Sequence, residues 1–116
     1  LQQLVLCSSL GTETPDAYPS LARILRQKRL GELAIIQSGI PYTIVRPSGL
    51  TNAPANGKIV LATELTTFGM ISREDVAEVL VQALLQPQAR YKVIEITSRA
   101  DGEPSEPEEL FAALAN

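Results

Sequence analysis

The chain has 116 residues, 45% hydrophobic and 20% charged, which is the composition of one ordinary globular domain. Ten basic residues against thirteen acidic ones leave it mildly acidic, without a basic run that could follow a phosphate backbone, so a nucleic-acid partner is not expected. The 116 residues include no histidine and one cysteine. Within them, Ser-His-Asp and Cys-His catalysis, disulfides and zinc clusters are therefore excluded. No apolar run approaches the roughly 20 residues of a transmembrane segment, although peripheral attachment to a membrane stays open.

The sequence starts "LQQLVL", without an initiator methionine, and enters a strand pattern almost at once. We therefore expect it to be part of a longer protein. Residues 3–9 form a short apolar run that ends in Ser8 and Ser9, as in a strand covered on both faces. Cys7, within this run, is interpreted as a small core residue.

A loop at 10–17 precedes the first helical pattern, which runs from Tyr18 to about Ser38. Gly39 is the residue type expected just past a helix end. The second strand is "YTIVRP" at 42–47, rich in β-branched and aromatic residues.

Beyond this strand the sequence predicts a loop at 48–57 and two short strands, "KIVLA" and "FGMI". The segment "SREDVAEVLVQALLQP" is the clearest helix, with Ser72 as N-cap and Asp75 at the third helical position. Its apolar stripe is explained by packing alone and consists of Val76, Val79, Leu80, Ala83 and Leu84.

The third strand is "YKVIEITS" at 91–98. An acidic connector at 98–106 leads to a terminal helix at 107–115 that presents Leu110, Phe111 and Leu114. Strands alternating with helices predict an α/β fold with a largely parallel sheet and right-handed crossovers.

Lys28 falls on or beside the apolar face of the first helix. At 3.6 residues per turn it shares one sector with Leu21, Ile24, Leu25, Glu32 and Ile35. Its stem could lie along apolar surface while the ammonium reaches solvent and pairs with Glu32. Alternatively, the ammonium could reach the crevice beyond the carboxyl ends of the strands, where ligands of open α/β sheets bind, and donate to ribose hydroxyls.

Five segments follow one another in a recognisable order: "LVLCSSLG", a lysine with "GE" three residues later, "SGIPYTIVRPSGLT", "ISREDVAEVLVQAL" and "YKVIEITS". Together they resemble the atypical short-chain dehydrogenase/reductase family with an NAD(P)H-binding domain, in its NmrA-like and plant or cyanobacterial branches. The resemblance runs from Leu4 to about Ala113. It implies that residues 1–116 are the carboxyl-terminal part of one Rossmann domain, without the amino-terminal βαβ half, in the cytoplasm or plastid stroma.

The resemblance also implies a site for NADP or NAD, made of Ser8, Ser9, Lys28, Arg46, Pro47, Ser48 and Gly49. In that site the lysine would hold the nicotinamide ribose, and the stretch from Arg46 to Gly49 would pass close to the nicotinamide. Either serine is a candidate catalytic residue.

The sequence departs from the family pattern at two points. It has no Gly-x-x-Gly-x-x-Gly, so nothing in it is expected to grip the pyrophosphate. Ile24 stands where the family's reductases place a tyrosine, four residues before the lysine, and an isoleucine cannot donate a proton. Tyr18 lies ten residues from Lys28, about 15 Å along a continuous helix, which is too far to replace it.

Two functions therefore stay open. One is an oxidoreductase whose proton donor is water, Ser8 or a residue outside these 116. The other is a non-catalytic module in which the nucleotide is structural or a redox signal and the chain binds a protein partner. In either case we expect residues 3–8 to be paired on both sides, by an amino-terminal half or another chain, with "YKVIEITS" on the far side of "YTIVRP".

Overall fold

The computed structural model describes residues 3–67 and 69–114. Its strands are, in chain order, β1 (Leu4–Cys7), β2 (Tyr42–Pro47), β3 (Gly49–Thr51), β4 (Ile59–Ala62), β5 (Met70–Ser72) and β6 (Lys92–Ser98). Its two α-helices are α1 (Ala22–Gln37) and α2 (Arg73–Leu85). Neither helix is both long and apolar enough to cross a membrane, in the part of the chain that the structure describes.

The main sheet has the strand order β1-β2-β6-β4. β1, β2 and β6 are parallel, and β4 is antiparallel to β6. The prediction of an α/β fold with a largely parallel sheet is confirmed, as is the position of β6 on the far side of β2. The antiparallel β4 is reached without a crossover helix, which parallel strands need.

The helix α1 begins later than the sequence predicts. Residues Pro15–Ala17 form a separate 3-10 turn, and Tyr18 is not helical, with φ −129° and ψ 73°. Pro19 explains the delay, because the residue before a proline is disfavoured in the helical region. The end of the helix is as expected, since Gly39 has φ +81°, a conformation that favours glycine.

The face of α1 that packs on the sheet differs from the predicted one. Its buried residues are Ala22, Leu25 and Glu32, whereas Lys28 is exposed and Ile24 is 56% exposed. Lys28 follows Leu25 by three residues and precedes Glu32 by four, so it lies beside the packed face, as predicted, although the residue itself is exposed. The packed face contains a buried charge, Glu32, and the apolar pattern alone could not reveal which residue neutralises it.

The helix α2 agrees with the prediction. The Ser72 hydroxyl accepts a hydrogen bond from the Asp75 backbone N–H at 3.1 Å, which caps the first turn. The core lies between this helix and the sheet and consists of Val45, Ile59, Ile71, Val76, Val79, Ala83, Ala89, Ile94, Ile96, Leu110 and Phe111. Leu84 of the predicted stripe is 54% exposed.

Other segments differ from the prediction. Part of the expected loop at 48–57 is strand β3, which forms a separate two-stranded sheet with β5. Pairing between two short strands that lie far apart in the sequence leaves little pattern in the sequence of either strand. The expected helix at 107–115 is two 3-10 turns, Pro107–Glu109 and Ala112–Leu114, although Leu110 and Phe111 are buried as expected. Residue 115, and Phe68 in "FGMI", lie outside the described residues.

Cys7 is exposed rather than a core residue. It is the last residue of β1, which lies at one end of the strand order, so its surroundings are not those of an interior strand. Partial burial still raises the pKa of its thiol, while the positive charge of Lys28 opposes that shift. Lys28 therefore lies near Cys7, at the end of β1.

Candidate functional site

The carboxyl ends of β1 and β2 lie side by side and bring their polar residues together. The Ser8 backbone N–H donates to the Val45 carbonyl at 2.7 Å, and the Leu10 N–H donates to the Pro47 carbonyl at 3.1 Å. The two chain segments therefore stay paired beyond β1. This puts the predicted serines next to the predicted Arg-Pro segment, at the sheet edge where open α/β folds bind ligands.

A pocket of about 400 Å³ opens at this edge, and we call it the strand-end pocket. Four predicted site residues line it: Ser9, Pro47, Ser48 and Gly49. The other lining residues are Leu10, Tyr18, Leu21, Leu25, Leu50 and Arg73. The lining is mostly apolar, with a few polar groups, which is typical of sites for small organic ligands.

The floor of the pocket is held by contacts to neighbouring strands. The buried Ser48 hydroxyl lies 2.8 Å from the Thr97 hydroxyl of β6. A Cβ at Gly49 would approach the Met70 sulfur to 2.4 Å, so a larger residue would displace that side chain. Glycine at this position leaves room for the Met70 side chain of β5.

Ser8 is buried, with 4% exposure, and its hydroxyl has no hydrogen-bond partner of good geometry among the described residues. It lies close enough to the Glu32 carboxylate to contribute to lowering its pKa. A buried hydroxyl without a partner costs free energy unless a ligand or water binds it. The Ser8 hydroxyl can donate toward the Glu32 carboxylate, and its oxygen lone pairs then remain for a ligand or water.

Arg46 is engaged by carboxylates. Its Nε and Nη2 donate to the two oxygens of Glu32 at 3.0 and 2.8 Å, and its Nη1 donates to Glu13 at 2.9 Å. The Thr12 hydroxyl donates to the same Glu32 carboxylate at 3.1 Å. Arg46 and Glu32 are 4% and 0% exposed, so this network fastens α1 and the 10–17 segment to β2.

The ionisation of the pair follows from these contacts. Burial raises the pKa of Glu32, but hydrogen bonds from Arg46 and the proximity of Ser8 outweigh it, and the net shift is downward. Burial likewise lowers the pKa of Arg46, and hydrogen bonds and charge from Glu32 reverse that effect. Both groups are therefore charged at neutral pH. Glu32 pairs with Arg46 and with Arg29 at 3.2 Å, and the predicted pairing with Lys28 is wrong.

Tyr18 enters the site because the chain before α1 is not helical. It lines the strand-end pocket and also an adjoining pocket of about 210 Å³ that contains Arg46 and Glu95. Its ring lies against Gly11, where a Cβ would come within 2.9 Å of it. Tyr18 is therefore not separated from Lys28 by a continuous helix, because α1 begins only at Ala22, and the predicted separation of about 15 Å along a helix is wrong.

The sequence interpretation missed three residues of this region: Glu32 as the partner of Arg46, Tyr18 and Arg73. A glutamate in the apolar sector of α1 was a signal for the first. The sequence around Tyr18 and Arg73 does not indicate their place in the site. The non-helical stretch before α1 and the start of α2 bring them to the pocket only in the folded chain. Lys28 is not among the residues that line it, and the roles of the seven predicted site residues remain predictions.

Comparisons with known proteins agree with this geometry. The NAD(P)H-binding family matches residues 1–87. An uncharacterised chloroplastic protein of Arabidopsis thaliana is 48% identical over 88 residues, which are 75% of this chain and 31% of that protein. Sanguinarine reductase of Eschscholzia californica is 34% identical over 110 residues, 88% of this chain and 40% of the reductase.

Among solved structures, a Bacillus halodurans protein of the NAD-dependent epimerase/dehydratase type superposes with a TM-score of 0.83 at 29% identity. The match covers 94% of this chain and 50% of that one. The chain therefore spans half, or less, of the length of these relatives. It belongs to the NAD(P)H-binding family, within the atypical short-chain dehydrogenase/reductases that its motifs resemble, and has their Rossmann-type fold.

Proposed function

We propose that the protein binds NADP or NAD with the nicotinamide end at the strand-end pocket, and that it reduces an organic substrate there. The observation that carries this proposal is the convergence of Ser9, Pro47, Ser48 and Gly49 on one pocket at the carboxyl ends of two parallel strands. Residues 1–116 would then form the carboxyl-terminal part of one NAD(P)-binding domain.

The residues present suit the nicotinamide half of such a cofactor. The Ser8 hydroxyl oxygen can accept a hydrogen bond from a carboxamide or ribose hydroxyl. Lys28 is exposed near Cys7, at the end of β1, and is free to reach a ribose that lies there. The chain has no glycine-rich loop, so we assign the pyrophosphate to residues outside it.

When bound, the reduced cofactor supplies a hydride. The chain's own residues would orient the substrate, exclude water and provide a proton for the developing oxyanion. Leu10, Leu25 and Leu50 give the pocket walls that keep water away. Tyr18 is the proton donor that the geometry favours, since its phenol lines the pocket and Ile24 has no proton to give.

The relatives support the reaction class and the compartment. One is named a reductase, and another is named chloroplastic. We accordingly assign the protein to the plastid stroma or, in a cyanobacterium, to the cytoplasm.

The test uses the full-length protein. Fluorescence titration with NADPH and with NADH measures binding, and loss of reduced-cofactor absorbance with a panel of quinones and carbonyl compounds measures turnover. Binding of neither nucleotide would refute the proposal. Binding with no turnover of any substrate would favour the second function below.

The second function is a non-catalytic module that joins a protein partner, and the edge of β1 favours it. Within the described residues β1 pairs with β2 alone. Leu21, just before α1, and Ile24, within it, are 50% and 56% exposed. With the first function, the occupant of this edge is the amino-terminal half of the same domain; with the second function, it is a different chain. A different chain in that place would be revealed by a stable complex in cross-linking of full-length protein.

A further inference from the structure

The strand-end pocket has one charged lining residue among those that the structure describes. Four leucines and Pro47 provide most of its surface, and the polar groups of Ser9, Tyr18 and Ser48 are neutral. Arg73 alone brings a charge. A ligand that fits this lining has an apolar body and a single group for the guanidinium to bind.

The guanidinium of Arg73 is not neutralised by the described part of the protein. Its hydrogen bond there goes to the neutral Asn52 side chain, from Nη1 to Oδ1 at 2.5 Å. The neighbouring carboxylates are used elsewhere. Glu74 accepts from the Ala55 N–H at 3.2 Å, and Asp75 accepts from the Gly57 N–H at 3.0 Å. The other N–H groups of Arg73 thus remain for a ligand at the pocket.

The position of Arg73 is fixed although its side chain is exposed. It is the first residue of α2, and the Ser72 hydroxyl that caps this helix is buried. Its hydrogen bond to Asn52 further limits the conformations of the side chain. A planar guanidinium held in this way can bind a carboxylate through two parallel hydrogen bonds.

We infer that the strand-end pocket holds a substrate with an apolar, ring-containing body and one carboxylate, and that Arg73 binds the carboxylate. The assignment of this ligand as substrate rests on the proposed function. Tyr18 and Ser9 line the same pocket, and the carbonyl of such a substrate would lie beside them. Arg73 then determines specificity and takes no part in the proton or hydride transfer.

The experiment compares two probes of the same shape, 2-naphthoate and 2-naphthamide, which differ in charge. Their binding to full-length protein is measured by titration calorimetry, with and without saturating NADPH. The variants are Arg73→Gln and Arg73→Lys, and Arg90→Gln is the control, because Arg90 is exposed and lies before β6 at the other end of the sheet. Thermal melts verify that each variant is folded.

The expected result is that 2-naphthoate binds at least tenfold more tightly than 2-naphthamide, also in the presence of NADPH. Arg73→Gln should remove this preference, Arg73→Lys should keep part of it, and Arg90→Gln should leave it intact. Equal binding of the two probes to the unmodified protein would overturn the inference, as would displacement of NADPH by 2-naphthoate.

The same measurements separate this inference from the proposed function. If NADPH does not bind but the Arg73-dependent preference is present, the proposed function fails and the carboxylate site stands. If NADPH binds and Arg73→Gln weakens the binding of NADPH in place of that of 2-naphthoate, Arg73 is a cofactor residue and the inference is wrong.

Discussion

Arg46 and Glu32 form a buried, bidentate ion pair that joins the end of β2 to the middle of α1, with N–O distances of 2.8 and 3.0 Å. Glu32 of this pair also lies close to the buried Ser8 hydroxyl, just after the end of β1. Arg46, in the Arg-Pro segment of the family motif, therefore stabilises the fold of this chain whether or not a cofactor is bound.

Replacing one partner of this pair should destabilise the fold strongly. Glu32→Gln leaves the buried guanidinium with the partly exposed Glu13 as its remaining carboxylate, and we expect a loss of about 3 kcal/mol in the free energy of unfolding. Asp16→Asn is the control, because it breaks an exposed pair with Arg26 that should contribute less than about 1 kcal/mol. Urea unfolding measures both, and equal losses would contradict this role.

The lowered pKa of Glu32 predicts a dependence of stability on pH. A carboxyl whose pKa is lower in the folded than in the unfolded state contributes its full stability above the unfolded value, about 4.3. That contribution is lost as pH falls from this value through the lower folded pKa. Urea midpoints between pH 3 and 7 should therefore fall less steeply in acid for Glu32→Gln than for the unmodified protein. Parallel curves would show that Glu32 does not drive the loss.

Lys28→Ala should weaken binding of NAD(P)H to the full-length protein by about 1 to 3 kcal/mol, the range for lost hydrogen bonds to a charged group. Arg23→Ala is the matched control, since Arg23 is an exposed cation on the same helix. Fluorescence titration measures both affinities. An unchanged affinity would leave Lys28 as a solvated surface residue.

Reductase activity should depend on Tyr18. Removing its hydroxyl in Tyr18→Phe should lower kcat about a hundredfold or more, as for loss of a general acid, with little change in cofactor affinity. Tyr91→Phe is the control, because Tyr91 is exposed and precedes β6, away from the pocket. If Tyr18→Phe keeps full turnover, the proton comes from water or a serine.

The free edge of β1 gives a prediction for hydrogen exchange. The Leu4 and Ser8 amides bond to the Pro41 and Val45 carbonyls, so by the two-residue period of a strand the Val5 and Cys7 amides point away from β2. In the full-length protein we expect these two amides to be as protected as those of Leu4 and Ser8. Rapid exchange at Val5 and Cys7 alone would show that nothing pairs with this edge.

The sequence by itself determined the elements with strong local signals. Ser72 and Asp75 predicted the start of α2, and strands alternating with helices predicted the parallel sheet, because capping and side-chain periodicity depend on neighbours in the chain. The motif order also determined the family. Pairing of β3 with β5 was not predicted, because three-residue strands bonded across the sequence leave no periodic pattern.

Only the tertiary structure decided which residues form the site. Glu32 is buried because Arg46, fourteen positions later, neutralises it, so the packed face of α1 includes a charge, and Lys28 lies exposed beside that face. Tyr18 and Arg73 meet at one pocket because a non-helical turn and the start of α2 converge at the end of β2. Contacts of this kind depend on distances between segments that lie far apart in the chain, and one-dimensional spacing carries no record of them.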